Sequence, residues 1–311
     1  MTSRLTGKFR KMMVGVCAAV LVLSAAWNVA VAEENRDGFS FIVTADMRNF
    51  AEPKYQTPQY FLGTCLAIRQ VGRGAFMVST GDIDPPAAVY ETIRKTLGAD
   101  YPWYPVVGNH EAETSKDMAW IRRWARRGIP HVVRMGPTNG VETTYSFEIG
   151  PVHAVVINEY YTGRSDTKGK GNIVPELLAW LKADLAANRK PYVFVFGHEP
   201  LVSMPDADTG RMRHKGDNLD AYPTNSFRFQ QVLKKYKVTA FVCGHTHNCS
   251  WAKINGLWQV DPGHCRGIGD KGAPSTFLKF RLADDGIWHV DVYRDDMKGG
   301  PYRLRHTFAL D

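Results

Sequence analysis

Donor side chains able to hold a metal ion recur in this chain just beyond short apolar runs. Asp46 follows the run 39–45, and Asp82 follows 75–80 and a glycine. Asn109, His110 and Glu111 follow 103–107 and Gly108, His198 follows 192–196 and Gly197, and His245 and His247 follow 238–243 and Gly244. Carboxylate, amide and imidazole groups make a hard-to-borderline O/N set suited to Mn, Fe or Zn rather than calcium. Two such ions about 3.5–4 Å apart can hold and activate a bridging water and neutralise a phosphate during in-line attack, with a two-oxygen aspartate as the natural bridge.

The apolar runs read as strands, and in open α/β sheets sites form where such strands end, so the five exits are expected to converge. Thr57-Pro58 reads as N-cap and first helical position of a helix reaching Val71, and further helices are expected over 87–97 and 115–127, from Pro175, and up to about Tyr236. The resulting β-α-β-α rhythm favours a parallel sheet. Runs 144–149 and 152–157 alternate as a hairpin around Gly150-Pro151. After His247 the chain turns to short strands that should complete a second sheet packed on the first. The polar stretch 163–171 reads as a mobile surface loop. The aperiodic stretch 204–226 reads as a functional loop, and its Arg213 and His214 are candidate substrate contacts.

The 311 residues are 44% hydrophobic, enough for a substantial core. Residues 1–32 read as a secretory signal peptide: Arg4, Lys8, Arg10 and Lys11 precede an apolar run from Met12 to Trp27 and an Ala30-Val31-Ala32 cleavage site. Cleavage removes those four basic residues, lowers the formal charge from +8 to +4, and leaves no membrane span in a single domain over 33–311 of periplasmic or extracellular residence. No nucleic-acid-binding module is evident, since the cluster 122–127 has the spacing of a solvated helix face. No feature specifies an oligomeric state. Of the four remaining cysteines, Cys249 and Cys265 are the expected disulfide pair, lying in loop-rich sequence on an export route, whereas Cys65 and Cys243 read as buried small hydrophobes.

Taken in order, Asp46-Met47-Arg48, Gly81-Asp82, Gly108-Asn109-His110-Glu111, Gly197-His198 and Gly244-His245-Thr246-His247 resemble the motifs of the calcineurin-like metallophosphoesterases, in particular the purple acid phosphatase branch. The resemblance spans roughly residues 39–295. It implies a four-layer α-β-β-α sandwich with two mixed sheets and a metal site at the strand C-terminal ends. It implies a phosphoesterase acting on a small-molecule phosphate ester through a metal-activated water. By the same resemblance, Asp46, Asp82 and His247 hold a first metal and Asp82, Asn109, His198 and His245 a second, His110 is the general acid, and Glu111 orients the His110 ring from behind.

The match breaks at two positions. Arg48 stands where the family has the histidine of D-x-H, and Pro85 stands where it has the tyrosine of G-D-x-x-Y. A guanidinium cannot ligate a metal. Three arrangements follow: Asp84 or a water substitutes, the first metal is weak and exchangeable, or one metal suffices and Arg48 supplies positive charge or contacts phosphate. The contrasting functional class is a non-catalytic metal- or phosphate-binding protein on the same fold. His110 and Glu111 speak against it, because a binder has little need of a positioned proton donor.

Overall fold

The computed structural model describes residues 38–167 and 169–311. The proposed signal peptide lies outside them. The first half follows the alternating rhythm of the sequence: β1 (Ser40–Thr44), α1 (Phe61–Val71), β2 (Met77–Ser79), α2 (Pro86–Leu97) and β3 (Trp103–Pro105). The three strands lie parallel, so their carboxyl ends share one edge. There follow the short helix α3 (Asn109–Glu113), α4 (Ser115–Arg126), β4 (Val132–Met135), and the hairpin of β5 (Tyr145–Ile149) and β6 (Val152–Val156). Next come α5 (Pro175–Ala187), β7 (Tyr192–Phe196), α6 (Pro223–Lys235) and β8 (Ala240–Val242). Strands β9 (Cys249–Ile254), β10 (Leu257–Pro262), β11 (Thr276–Leu282), β12 (Trp288–Arg294) and β13 (Arg303–Leu310) complete the chain.

Two mixed sheets result, ordered β13-β12-β11-β1-β2-β3 and β4-β5-β6-β7-β8-β10-β9. Their facing sides are aromatic. Phe41 stacks between Phe76 and Phe280, at 4.7 Å from each ring centre, and meets Phe194 of the other sheet edge-on at 5.1 Å. Such rings combine large apolar burial with fixed geometry. The outer face of the second sheet is covered by α5 and α6 through Leu177, Leu181, Phe229 and Leu233, packed on Val155, Val195 and Phe241. Helices α1 and α2 cover the first sheet, giving the four layers.

Some local expectations are corrected. Helix α1 begins at Phe61 rather than Pro58, because Tyr60 N–H bonds Thr57 O and holds residues 57–60 in a turn. Strand β4 went unpredicted because it is an exposed edge strand with no apolar alternation. The Cys249–Cys265 disulfide is not formed: Cys65, Cys243, Cys249 and Cys265 are free and buried. The surrounding sequence is loop-like, yet both thiols lie in the packed interior, where Cys265 Sγ bonds Thr276 O at 2.9 Å. Cys249 and Cys265 there behave as small apolar side chains. In the loop 163–171 the Asp166 side chain is buried and holds Arg122 at 2.5 and 2.9 Å, so Arg122 is not on a solvated face.

His153 on β6 is buried between Asp184 (2.8 Å) and Glu148 (3.2 Å). Burial acts to lower its pKa, but the bonds and charges of the two carboxylates outweigh it and raise the pKa above the ordinary 6.5. Stability from such a group is complete below the unfolded-state pKa and is lost as pH rises through the folded-state value. Chemical denaturation should therefore show the advantage of wild type over His153→Gln in full at about pH 5.5 and reduced at about pH 9. An advantage that grows with pH would contradict this assignment.

Candidate metal centre

Strand exits from both sheets meet at one edge. Among the described residues, ligand atoms of Asp46, Asp82 and His247 lie within 4.8 Å of one another, and all three side chains are buried. Beside them, His198 Nε2 lies 3.4 Å from Asp82 Oδ1, 3.3 Å from Asn109 Oδ1 and 3.2 Å from His245 Nδ1. The six residues expected as ligands are thus brought together, with Asp82 between two poles.

The tautomer of His198 is set by its neighbour. Its Nδ1–H donates to the Thr80 carbonyl at 2.7 Å, which leaves the Nε2 lone pair facing Asp82, Asn109 and His245. Burial pushes the His198 pKa down to about 4, and burial together with the neighbouring His198 pushes His245 down to about 2. Both rings are therefore neutral at pH 7 and able to offer lone pairs. The carboxylates shift the other way. Burial, then the charge of Asp82, raises Asp46 well above its ordinary range, and burial raises Asp82 to about 6. Neutral imidazoles offer lone pairs beside carboxylates whose ionisation burial opposes and a bound cation would favour. The donor set of Asp82, Asn109, His198 and His245 therefore fits a metal ion.

The backbone is bent to achieve this. Asp46, Arg48, Asp82, His245 and His247 have φ of 53°, 38°, 52°, 71° and 58°, the left-handed region that non-glycine residues rarely adopt. Such conformations cost about 1–3 kcal/mol each and persist where the surroundings over-determine them. Glu111 is one of those determinants. Its carboxylate accepts N–H bonds from Asp82 (3.0 Å), Ile83 (2.8 Å) and Gly108 (2.8 Å). It thus braces the turn that carries Asp82, and these contacts take the place of the one expected behind the His110 ring. Gly108 is required by the same close approach, since a Cβ there would run into the backbone N and side chain of Asp82.

The His110 ring stands at the mouth, 29% exposed, with Nε2 3.6 Å from Asp82 Oδ2. Arg48 and Asp84 bind each other at 3.2 Å. Asp84 is thereby paired with Arg48 and is not among the three clustered donors Asp46, Asp82 and His247. The loop after His198 folds over the centre: the His214 ring is 4.1 Å from the His245 ring, and Arg213 lies against His247 Nδ1 and 3.8 Å from Asp270. This loop is anchored by Asp206, which pairs with buried Arg294 at 2.6 Å and accepts from Cys249 N at 3.0 Å.

Three residues of the centre were missed in the sequence. Asp270 accepts from His247 Nδ1 at 3.1 Å and from Arg211 at 2.6 Å. Glu159 accepts from the backbone N–H of His198 at 2.8 Å. Arg266 reaches in from the exit of β10, with Nε bonded to Asp46 O at 2.7 Å and Nη2 at 2.9 Å from His247 Nε2. The signal for Arg266 was present: Gly263-His264-Cys265-Arg266 follows a strand as the other site segments do.

The sequence model of the calcineurin-like phosphoesterase family matches residues 39–249. Tartrate-resistant acid phosphatase type 5 of Oryctolagus cuniculus is 29% identical over 184 residues, covering 56% of this chain and 51% of that protein. The same enzyme of Homo sapiens is 27% identical over 219 residues, covering 63% and 62%. The chain thus spans about half to three-fifths of the length of these relatives. A solved structure of PhoD superposes with a TM-score of 0.58 at 11% identity, covering 88% of this chain and 70% of that one, a likeness of fold.

Removing the Glu111 carboxylate strands three backbone donors, and each buried unsatisfied group costs about 1–3 kcal/mol. Glu111→Ala should therefore lose roughly 3 kcal/mol or more of unfolding free energy, and metal affinity with it. Denaturant melts and metal titration of the variant measure both, and near-wild-type values would refute the bracing role.

Proposed function

Because this chain belongs to the calcineurin-like phosphoesterase family, we propose that it is an exported, metal-dependent hydrolase of small phosphate esters. The observation that carries this reading is the convergence of Asp82, Asn109, His198 and His245 around one point, with the His110 ring at the mouth. A metal ion held there would supply Lewis-acid polarisation of the phosphoryl group and activation of water.

The protein's own groups supply the rest. Asp82 and Asn109 offer oxygens, and the neutral His198 and His245 offer nitrogens whose orientation is fixed through Thr80 and the bent backbone. His110, on the first turn of α3, is placed to give a proton to the leaving oxygen, a general-acid role. The backbone N–H of His110 donates to Asp82 Oδ1 (3.3 Å) and ties its position to that carboxylate. Arg213 and His214 on the covering loop would meet the anionic end of the substrate, in accord with the charge-assisted binding that a guanidinium gives phosphate. Export rests on the N-terminal basic and apolar pattern with its Ala30-Val31-Ala32 site. Among the described residues no helix is long and apolar enough to cross a membrane.

The direct test is hydrolysis of p-nitrophenyl phosphate and its bis ester by protein stripped of metal and resupplied with Mn, Fe or Zn. Turnover should return with metal, and Asn109→Ala should abolish it while leaving the fold intact. His110→Ala should slow esters of poor leaving groups by about 10²–10⁴-fold and spare those of good ones. A folded protein with no turnover under any metal would instead support a phosphate-binding role. Mass spectrometry of the exported chain should find it beginning at Glu33, and retention of residues 1–32 would refute cleavage there.

A further inference from the structure

We infer that the Arg266 guanidinium stands in place of a first metal ion, so that the chain holds a single ion, at the Asn109, His198 and His245 pole. The inference deepens the proposed function and rests on it.

The pole formed by Asp46, Asp82 and His247 is occupied from within. His247 is flanked by Asp270 at Nδ1 (3.1 Å) and by Arg266 Nη2 at Nε2 (2.9 Å). A neutral imidazole has one lone pair. The Nδ1 proton is given to Asp270; Arg213, which also lies against Nδ1, is a contact there and not a hydrogen-bond partner of the ring. Arg266 Nη2 is donor-only and calls for the lone pair at Nε2. A metal would need the same electrons. His247 Nε2 is also the ring nitrogen that faces Asp46 Oδ1, at 3.6 Å.

Arg266 is held there by the chain. Cys265 N–H bonds Ala45 O at 2.9 Å and Arg266 Nε bonds Asp46 O at 2.7 Å, so two successive residues are fastened to the segment that delivers Asp46. A guanidinium remains charged and has no lone pair for a metal. It can meet the charge of Asp46 and Asp82 without completing a coordination shell. The sequence departures fall on this same pole: Arg48 and Pro85 replace the two further donors that the family resemblance implies, and Arg48 is turned to Asp84. Two donors are absent from one pole and a fixed cation is present in it, while the other pole keeps all four of its donors.

Metal content decides the matter independently of turnover. Metal-stripped wild-type protein incubated with excess Mn(II) and desalted should retain one ion per chain by elemental analysis, with the EPR spectrum of an isolated Mn(II). Arg266→Lys, which keeps a cation, should also retain one. Arg48→His combined with Arg266→Ala should retain two, with the spectrum of a spin-coupled pair. Two ions in wild type would overturn the inference and leave phosphoester hydrolysis standing, whereas no ion in folded wild type would overturn both. Should the double variant fail to fold, stoichiometry and EPR of wild type and Arg266→Lys still decide.

Discussion

Three hydrogen bonds between the strand exits fix everything that happens at this centre. His198 Nδ1–H reaches the Thr80 carbonyl at 2.7 Å, the Thr80 hydroxyl reaches Cys243 O at 2.8 Å, and His245 N–H reaches Asp46 Oδ2 at 3.0 Å. Each joins one sheet to the other. The aromatic layer between the sheets supplies cohesion, but apolar packing is non-directional and tolerates small slides. The polar bonds at the edge convert cohesion into registration, because a buried donor or acceptor that loses its partner is costly. Donors from two sheets, such as His198 with Asn109 and Asp82, are therefore held 3.3 and 3.4 Å apart by groups that also orient the imidazoles.

Electrostatics explains why so many charged groups coexist there. Asp46, Asp82 and Glu111 are buried close together; burial raises the pKa of each, and the charge of Asp82 adds to the rise at Asp46 and Glu111. Cations must answer them, and buried charge is tolerated only when it is paired and hydrogen-bonded. Arg266 enters from β10, while Arg211 and Arg213 gather on Asp270 behind His247. The outer partners are thus as much part of the centre as the donors themselves.

Much of this was legible in the sequence, for an identifiable reason. A polar donor directly after an apolar strand and a glycine is a local pattern, and Asp82, Asn109, His198 and His245 all carry it, with His247 two residues beyond the last. The parallel rhythm of the first half then brings such exits to one edge. What escaped reading depended on long-range partners. Strand β4 is exposed and owes its conformation to pairing with β5. The role of Glu111 follows from which backbone N–H groups its oxygens reach, and the free state of Cys249 and Cys265 from their burial rather than from the loop-like composition around them. Arg266 was hidden because a lone arginine in a glycine-rich segment has no spacing signature, although the strand exit before it does.

The loop over the centre is fastened at both ends and again in its middle, where Arg211 bonds Asn248 Oδ1 at 2.8 Å, Asp270 at 2.6 Å and the His247 carbonyl at 2.7 Å. Asp206 is fixed to Arg294 at one end. At the other, Asn218 Nδ2 bonds Ser203 Oγ at 2.9 Å and Leu219 N bonds Pro200 O at 3.2 Å. Residues 207–217 are therefore a span pinned at three posts, the middle one lying on the segment that carries His247. A change of length or composition within that span would be felt at His247 through Arg211 and Arg213, and at His245 through the His214 ring. A protein engineer who exchanged this loop would thus carry away part of the support of the His247 pole with it.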